Sequence, residues 1–470
     1  MFIKSKSIIY SMKDSRQYIS NIFKIDEKIL HNNQLNYYYT KYPNVCCNIK
    51  NLKPYLDNIK PYQYTSLVSQ ISNLYNDVTY NTFIKKFYEY IEKLNNTKDI
   101  INVSDNIYLN QLFIYYTQCR PNIKIVTVWN NLSDYNKKIC NNKSVNVYCY
   151  KKFKLTLNAA KNLFFQMNAY NLNPIFKDIK KLDTYCKTLG WTEDKQKFVN
   201  IYLLEGSDIN FKKEDFDNLH ITSSFMEAIT LSKVYFNKNS LQFLNMQKLD
   251  RVLDFKFRKC KILINTFINY LFRNIDLFDI DKFLILSGSV LYSHGIRQCS
   301  DVDFFINHNP KEIKTPNFKK KIETFLLNEE TKFFFTDGYT KIIPELYWRE
   351  FWEEWHVEWG NMFGAKHVLE AVFNPKYHYY YLGLKMIVLD GDVVRRNMRG
   401  RPAAVADIIM INNLFNKNIK LNPIPKETLK YNVITKTNKD KFLSIVKYWL
   451  YKRYNINITK KKLEKIVPFE

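Results

Sequence analysis

The stretch from Phe283 to Asn307, FLILSGSVLYSHGIRQCSDVDFFIN, admits few folds. Its opening run, Phe283, Leu284, Ile285 and Leu286, is apolar, long enough for a buried strand and too short for a membrane span. Ser287, Gly288 and Ser289 break that run, and a short helix over Val290 to about Gly295 is expected to follow. A second strand-like run then carries Asp301 and Asp303 in alternation with Val302, Phe304 and Phe305. Side chains along a strand repeat with period two, so both carboxylates fall on one face. Two neighbouring acids repel each other and are costly in a structural role. A divalent cation removes that cost, and Mg²⁺ is the usual hard ion where carboxylates meet phosphates.

The Gly-Ser turn supplies the complementary half of the chemistry. Gly288 lets the backbone approach a triphosphate closely, and the amide and hydroxyl of Ser289 can donate to its oxygens. A helix N-terminus at the same place also favours an anion. The combination reads as a nucleoside triphosphate held at a turn and handed to two metals on the neighbouring strand, the layout for in-line phosphoryl or nucleotidyl displacement. An ordinary strand, turn and helix with two surface aspartates is the plain alternative. A bare Asp-Val-Asp is common, and its spacing from the Gly-Ser pair is what favours the chemical reading.

Gly288-Ser289, eleven intervening residues, then Asp301-Val302-Asp303 and an apolar residue resemble the nucleotidyltransferase signature of the DNA polymerase β superfamily. That resemblance implies a polymerase β-like palm as catalytic domain; with an N-terminal half whose apolar spacing reads as helix-rich α+β, the expected fold class is α+β. It also implies a third carboxylate on an adjacent strand, to complete the metal site and activate the attacking hydroxyl. Glu370, on the face of Val368 and Val372 if 367–373 is a strand, is the first choice. Glu358 falls within a helical stripe of Trp348, Trp352, Trp355 and Trp359, and Asp390 sits at the end of a later strand. The tryptophan stripe suits either a base-stacking platform or, more simply, helix packing.

The segment from Tyr377 to Phe415 extends the likeness. It reads as an aromatic strand, a corner at Leu382-Gly383, a second apolar strand, an Asp-Gly turn and a helix from about Pro402. Arg395, Arg396, Arg399 and Arg401 are close enough to form a cationic rim for triphosphate or RNA backbone; a solvated surface is the alternative. Together with the two motifs, this segment resembles the catalytic subunit of poly(A) polymerases from the poxvirus, asfarvirus and giant-virus group. The specific likeness covers 283–415. It implies template-independent addition of AMP from ATP to RNA 3′ ends, using Mg²⁺ or Mn²⁺, in the host cytoplasm or virion. It implies Asp301, Asp303 and Glu370 as catalytic metal ligands, and Gly288, Ser289, Arg395 and Arg396 as nucleotide-binding residues. A homodimer or a viral processivity subunit would be the protein partner. Tandem nucleotidyltransferase-like domains are part of the same resemblance, with the degenerate copy in the N-terminal half. Other terminal transferases, uridylyl or CCA-adding, and a non-catalytic RNA-binding subunit of the same fold are the competing classes.

Bulk properties agree with a polyanionic partner. Lys and Arg total 71 against 45 Asp and Glu, a net charge of +26, and phosphate neutralisation dominates nucleic-acid binding. The bias to Asn, Lys, Ile and Tyr resembles the imprint of an AT-rich genome, which discounts part of that lysine excess. Eight cysteines show no CxxC spacing and read as free thiols in a reducing compartment, with no zinc site. With no signal-like N-terminus and no long apolar run, the expectation is a soluble protein without a membrane partner. At 470 residues the chain suits an α+β domain over 1–250, a catalytic domain over 251–415 and a basic helical extension over 416–470. Within the first, helices are expected in Tyr64 to Leu94 and Leu155 to Leu189, and strands at Ile123 to Trp129 and Val145 to Tyr150. One helix from about Leu249 to Phe278 is expected to lead into the motif strand.

Overall fold

The computed structural model describes residues 101–103, 122–129, 145–167, 178–206, 219–223, 225–254, 283–299, 301–306, 341–344, 375–421 and 436–469, with a few isolated positions such as Cys260. They form a mixed helix and sheet fold built on two five-stranded sheets. The first holds β1 (Ile101–Asn102), β2 (Ile123–Val128), β3 (Asn146–Leu155), β4 (Lys197–Glu205) and β5 (Leu219–Ile221), in the order β1-β3-β4-β2-β5. The second holds β6 (Phe283–Leu286), β7 (Asp301–Ile306), β8 (Lys341–Pro344), β9 (His378–Tyr381) and β10 (Leu384–Ile387), in the order β8-β7-β6-β10-β9. The strands expected near Ile123 and Val145 are present, the latter running on to Leu155.

Local chemistry sets the helix ends in the N-terminal half. In α1 (Leu157–Met167), Thr156 Oγ1 accepts the Ala159 amide at 3.1 Å, an N-cap in the residue just before the helix. In α2 (Ile179–Thr188), Asp178 accepts the amides of Lys180 and Lys181. Gly190, with φ of 83°, then reverses the chain, and the Trp191 amide donates to the Cys186 carbonyl at 3.1 Å. That is a Schellman closure, which glycine makes without a Cβ clash.

α3 (Phe225–Tyr235) and α4 (Lys238–Met246) join the two sheets. The start of α4 covers the outer edge of β9: Asn239 Nδ2 donates to the carbonyls of Pro375 and Lys376 at 2.7 and 2.9 Å, and the Tyr380 amide donates to Ser240 Oγ at 2.9 Å. An edge strand left bare would be open to pairing with other chains, and these side chains occupy its free groups. One contiguous apolar core therefore runs from Val103 through Phe243 and Tyr379 to Ile411. The boundary expected near 240–255 falls where the two sheets share this packing.

The single helix expected from Leu249 to Phe278 is broken at Asp254, and most of 255–278 lies outside the described residues. α5 spans only Leu249–Leu253, because Asp254 turns to an extended conformation and donates its amide to Arg251. Beside it, Gly295 has φ of 71°, and a Cβ there would lie 2.5 Å from the Lys248 carbonyl oxygen. The corner Leu382-Gly383 joins β9 to β10 with both residues at positive φ, 50° and 78°, as a two-residue hairpin requires. The Asp-Gly pair at 390–391 forms no turn. It lies in the first turn of α7 (Leu389–Arg399), where acids complement the helix dipole. α8 (Pro402–Phe415) starts at its proline as expected. Of the C-terminal extension, 436–454 and 460–466 form α9 (Lys436–Tyr454) and α10 (Lys460–Ile466), which share an apolar cluster with α8 through Val405, Ile409, Leu443, Val446 and Leu463. No described helix is long and apolar enough to cross a membrane. The helix expected in Tyr64 to Leu94 and the tryptophan stripe at 348–359 lie outside the described residues.

Gly295→Ala should cost at least about 2 kcal/mol, from a left-handed backbone and a backbone clash together. Urea unfolding checks this, and a loss below about 0.5 kcal/mol would contradict the packing of Lys248 against the motif helix.

Candidate nucleotide site

The site begins where β6 ends. β6 pairs antiparallel with β7, and the register sets Leu286 opposite Asp303. Asp303 therefore stands beside the last strand residue before the turn, and Asp301 lies two positions further toward Ser287 and Gly288. Val302, between them, is fully buried, so the two aspartates take the positions of the other face. β10 runs parallel to β6 and ends at the same edge of the sheet, where α7 begins. Strand register thus gathers the turn, the two acidic positions and the start of α7 at one end of the sheet.

The turn itself is strained. Ser287 has φ of 61° and ψ of −125°, a region that L-residues rarely occupy. Its amide donates to Asp392 Oδ1 at 3.2 Å, which holds the backbone there. α6 then spans Gly288–Ser293, starting two residues earlier than expected. A Cβ on Gly288 would sit 3.2 Å from Cys299 Cβ, so any larger residue would press on the loop leading to β7. Gly288 and Ser289 are both buried, while Ser287 keeps partial exposure. Cys299 is tied in turn to Cys260, whose Sγ accepts the Cys299 amide; both are free thiols, as expected.

Under the turn lies an ion network that sequence reasoning missed. Asp392 accepts Arg396 Nε at 2.7 Å and Arg395 Nη2 at 3.1 Å. Arg396 Nη1 continues to Asp407 Oδ2 at 2.6 Å. The other oxygen of Asp407 accepts Arg297 Nε at 3.0 Å, Arg453 Nη1 at 2.9 Å and the Tyr454 hydroxyl. Both aspartates are fully buried. Burial by itself pushes their carboxyls up, but the charges of Arg396 and Arg395 at Asp392, and of Arg297, Arg396 and Arg453 at Asp407, outweigh it and hold both below the ordinary carboxylate range. Four arginines against two aspartates leave net positive charge beneath the turn.

This network relocates several expected site residues. Arg395 and Arg396 are buried and engaged by Asp392 and Asp407, so they form no surface rim. Their charge acts from below. Asp390 is exposed and pairs with Lys417. Asp392 is too fully occupied by arginines and the Ser287 amide to serve as a metal ligand. Neither strand flanking β7 carries a carboxylate: β6 reads FLIL and β8 reads KIIP, with Lys341 opposite Asp301. Glu370 and Glu358 lie outside the described residues. Two signals could have revealed the network. Asp392 precedes Arg395 and Arg396 by three and four residues, helical spacing for ion pairs. Asp407 is the lone acid in the apolar helix PAAVADIIMINNLF, and a buried charge needs a partner.

Asp407→Asn leaves three arginines without a shared counter-charge and should cost about 3–5 kcal/mol at neutral pH. Because the folded carboxyl lies below its unfolded value of about 3.9, its contribution is present above that pH and is lost as pH falls through the folded value. Unfolding curves of both proteins from neutral to acid pH should therefore converge at the acid end. A neutral-pH difference under about 0.5 kcal/mol would contradict a stabilising network. Compared with known proteins, the chain finds no counterpart: no family model, no curated protein and no solved structure matches it.

Proposed function

We propose that this chain is a nucleotidyltransferase of the polymerase β-like fold, adding AMP from ATP to RNA 3′ ends without a template. The observation that carries the proposal is the pairing of Leu286 with Asp303. It sets both aspartates of the motif at the sheet edge where the strained Ser287-Gly288 turn begins. Two carboxylates on one strand face, next to a turn with net positive charge beneath it, are a donor set that fits Mg²⁺ or Mn²⁺ together with a triphosphate. Such ions supply charge neutralisation and polarisation of the phosphoryl oxygens.

The residues take the following parts. Asp301 and Asp303 hold the metal ions. Gly288, lacking a Cβ, allows close backbone approach of the β- and γ-phosphates, with Ser289 beside it. Arg396 and Arg297 act on the phosphates through their field: Arg396 Nε and Nη1 are taken by Asp392 and Asp407 and its Nη2 donates to Ser287 Oγ at 3.4 Å, while Arg297 is held by Asp407 and the Gln298 carbonyl. Glu370 remains the proposed third carboxylate, accepting the proton of the RNA 3′ hydroxyl as its oxygen bonds to the α-phosphorus and pyrophosphate departs on the opposite side. The viral resemblance adds a cytoplasmic setting and a homodimer or processivity subunit as partner.

A second reading, a non-catalytic RNA-binding subunit of the same fold, draws on one observation. The described strands flanking β7 offer no third carboxylate.

Primer extension separates these readings. Purified protein, a labelled RNA oligonucleotide and Mn²⁺, given each nucleoside triphosphate separately, should produce a ladder with ATP alone. Asp303→Asn should lower the rate at least about a thousandfold, the scale of losing a residue the transition state depends on, without shifting Tm. Extension with UTP or CTP would keep the site and change the function. Unaltered activity in Asp303→Asn would refute the site.

A further inference from the structure

The outer face of α9 is the most unusual surface among the described residues. Six large hydrophobic side chains are exposed there and elsewhere, and three of them, Ile445, Tyr448 and Tyr451, lie on this helix at 37%, 51% and 61% exposure. The inner face, Phe442, Leu443, Val446 and Leu450, is spent in packing on α8, so the tyrosines are not core residues left at a margin. They are interleaved with exposed Lys441, Lys447 and Lys452. Lys452 Nζ lies 5.3 Å from the Tyr448 ring centroid, and Arg453 stacks over Trp449 at 4.1 Å. Residues 436–470 carry ten Lys and Arg against three Asp and Glu. Asp440, one of those three, is already paired with Lys460 of the neighbouring helix.

We infer that this face is a docking platform for single-stranded RNA, with Tyr448 and Tyr451 stacking on bases and Lys441, Lys447 and Lys452 meeting phosphates. The tyrosine rings suit unstacked bases, which a duplex does not offer, and the lysines match the charge of the strand. An acidic protein partner would use the lysines and pack on the tyrosines as well, so competition by a polyanionic peptide is one arm of the test. The platform is joined to the nucleotide site through the end of its own helix. Arg453 and Tyr454 bind Asp407, which binds Arg396, which with Asp392 holds Ser287. An RNA lying on α9 is therefore anchored on the element that braces the turn. Its identity as RNA rests on the nucleotidyltransferase reading; binding of a single strand does not.

The test uses the full-length chain and a fluorescein-labelled oligoadenylate, read by anisotropy without metal or ATP. Tyr448→Ala and Tyr451→Ala should each weaken binding by about 5- to 150-fold, the range for loss of one base stack. Phe at the same positions should restore it. Lys441→Gln with Lys452→Gln should flatten the salt dependence by about 0.7 for each phosphate that is no longer neutralised. Circular dichroism and Mn²⁺-ATP binding of the alanine variants should match the parent, which separates failure of this platform from failure of the nucleotide site. Wild-type affinity in Tyr448→Ala and in Tyr451→Ala would overturn the inference. So would equal competition by duplex RNA or by polyglutamate, the latter pointing to an acidic protein partner.

Discussion

Asp407 is the point through which the C-terminal half is held together. Its two oxygens receive Arg297 from the loop before β7, Arg396 from α7, and Arg453 and Tyr454 from α9. Three segments distant in sequence are thus fixed on a single buried carboxylate. A buried charge of this kind adds little net stability compared with apolar packing, but removing it strands the cations it serves. Its effect is therefore to fix geometry. Through Arg396 and Asp392 the network reaches the Ser287 amide, and the unfavourable backbone of that turn is held by a hydrogen bond from beneath.

Helices of the N-terminal half, and the residue that follows α4, contribute to the same end from the other side. Gln247 Nε2 donates to the Ser293 carbonyl at 2.9 Å, Arg251 Nη2 to the Ile296 carbonyl at 3.1 Å, and Asn162 Nδ2 secures the Gln247 carbonyl at 3.1 Å. These contacts satisfy the C-terminal end of α6 and the bend that follows, groups that would otherwise be buried without partners. His294, edge-on to the stacked rings of Phe243 and Tyr379, is kept neutral by burial, which pushes its pKa down to about 4 although its bond to the Val290 carbonyl pulls the other way. The motif helix is thus enclosed by both halves of the chain, and its position cannot change without disturbing the common core.

How far this arrangement was legible depends on the range of the interaction. β6, the turn, β7 and the β9–β10 hairpin follow from local patterns: an apolar run, a Gly-Ser break, alternation and a Leu-Gly corner. The meeting of Asp303 with Leu286 needed strand register, which a connection long enough to hold α6 leaves open in the sequence. The fates of Arg395 and Arg396 were not, because charge and proximity in sequence suggested a surface and only the position of Asp407 makes burial tolerable. The break at Asp254 was missed because Leu249 to Phe278 keeps helical apolar spacing across it. The Asp-Gly pair at 390–391 misled in the same way: its turn preference yields to the favourable place of acids in the first turn of α7.

The central claim is that the Ser287-Gly288 turn and the Asp301-Val302-Asp303 strand form one metal-dependent triphosphate site. Isothermal titration with a non-hydrolysable ATP analogue, with and without Mn²⁺, tests it most directly. Binding is expected at one site per chain, to require the metal and to disappear in Asp301→Asn/Asp303→Asn, with the variant still folded. Equal binding in the absence of metal, or undiminished binding by that variant, would contradict the claim.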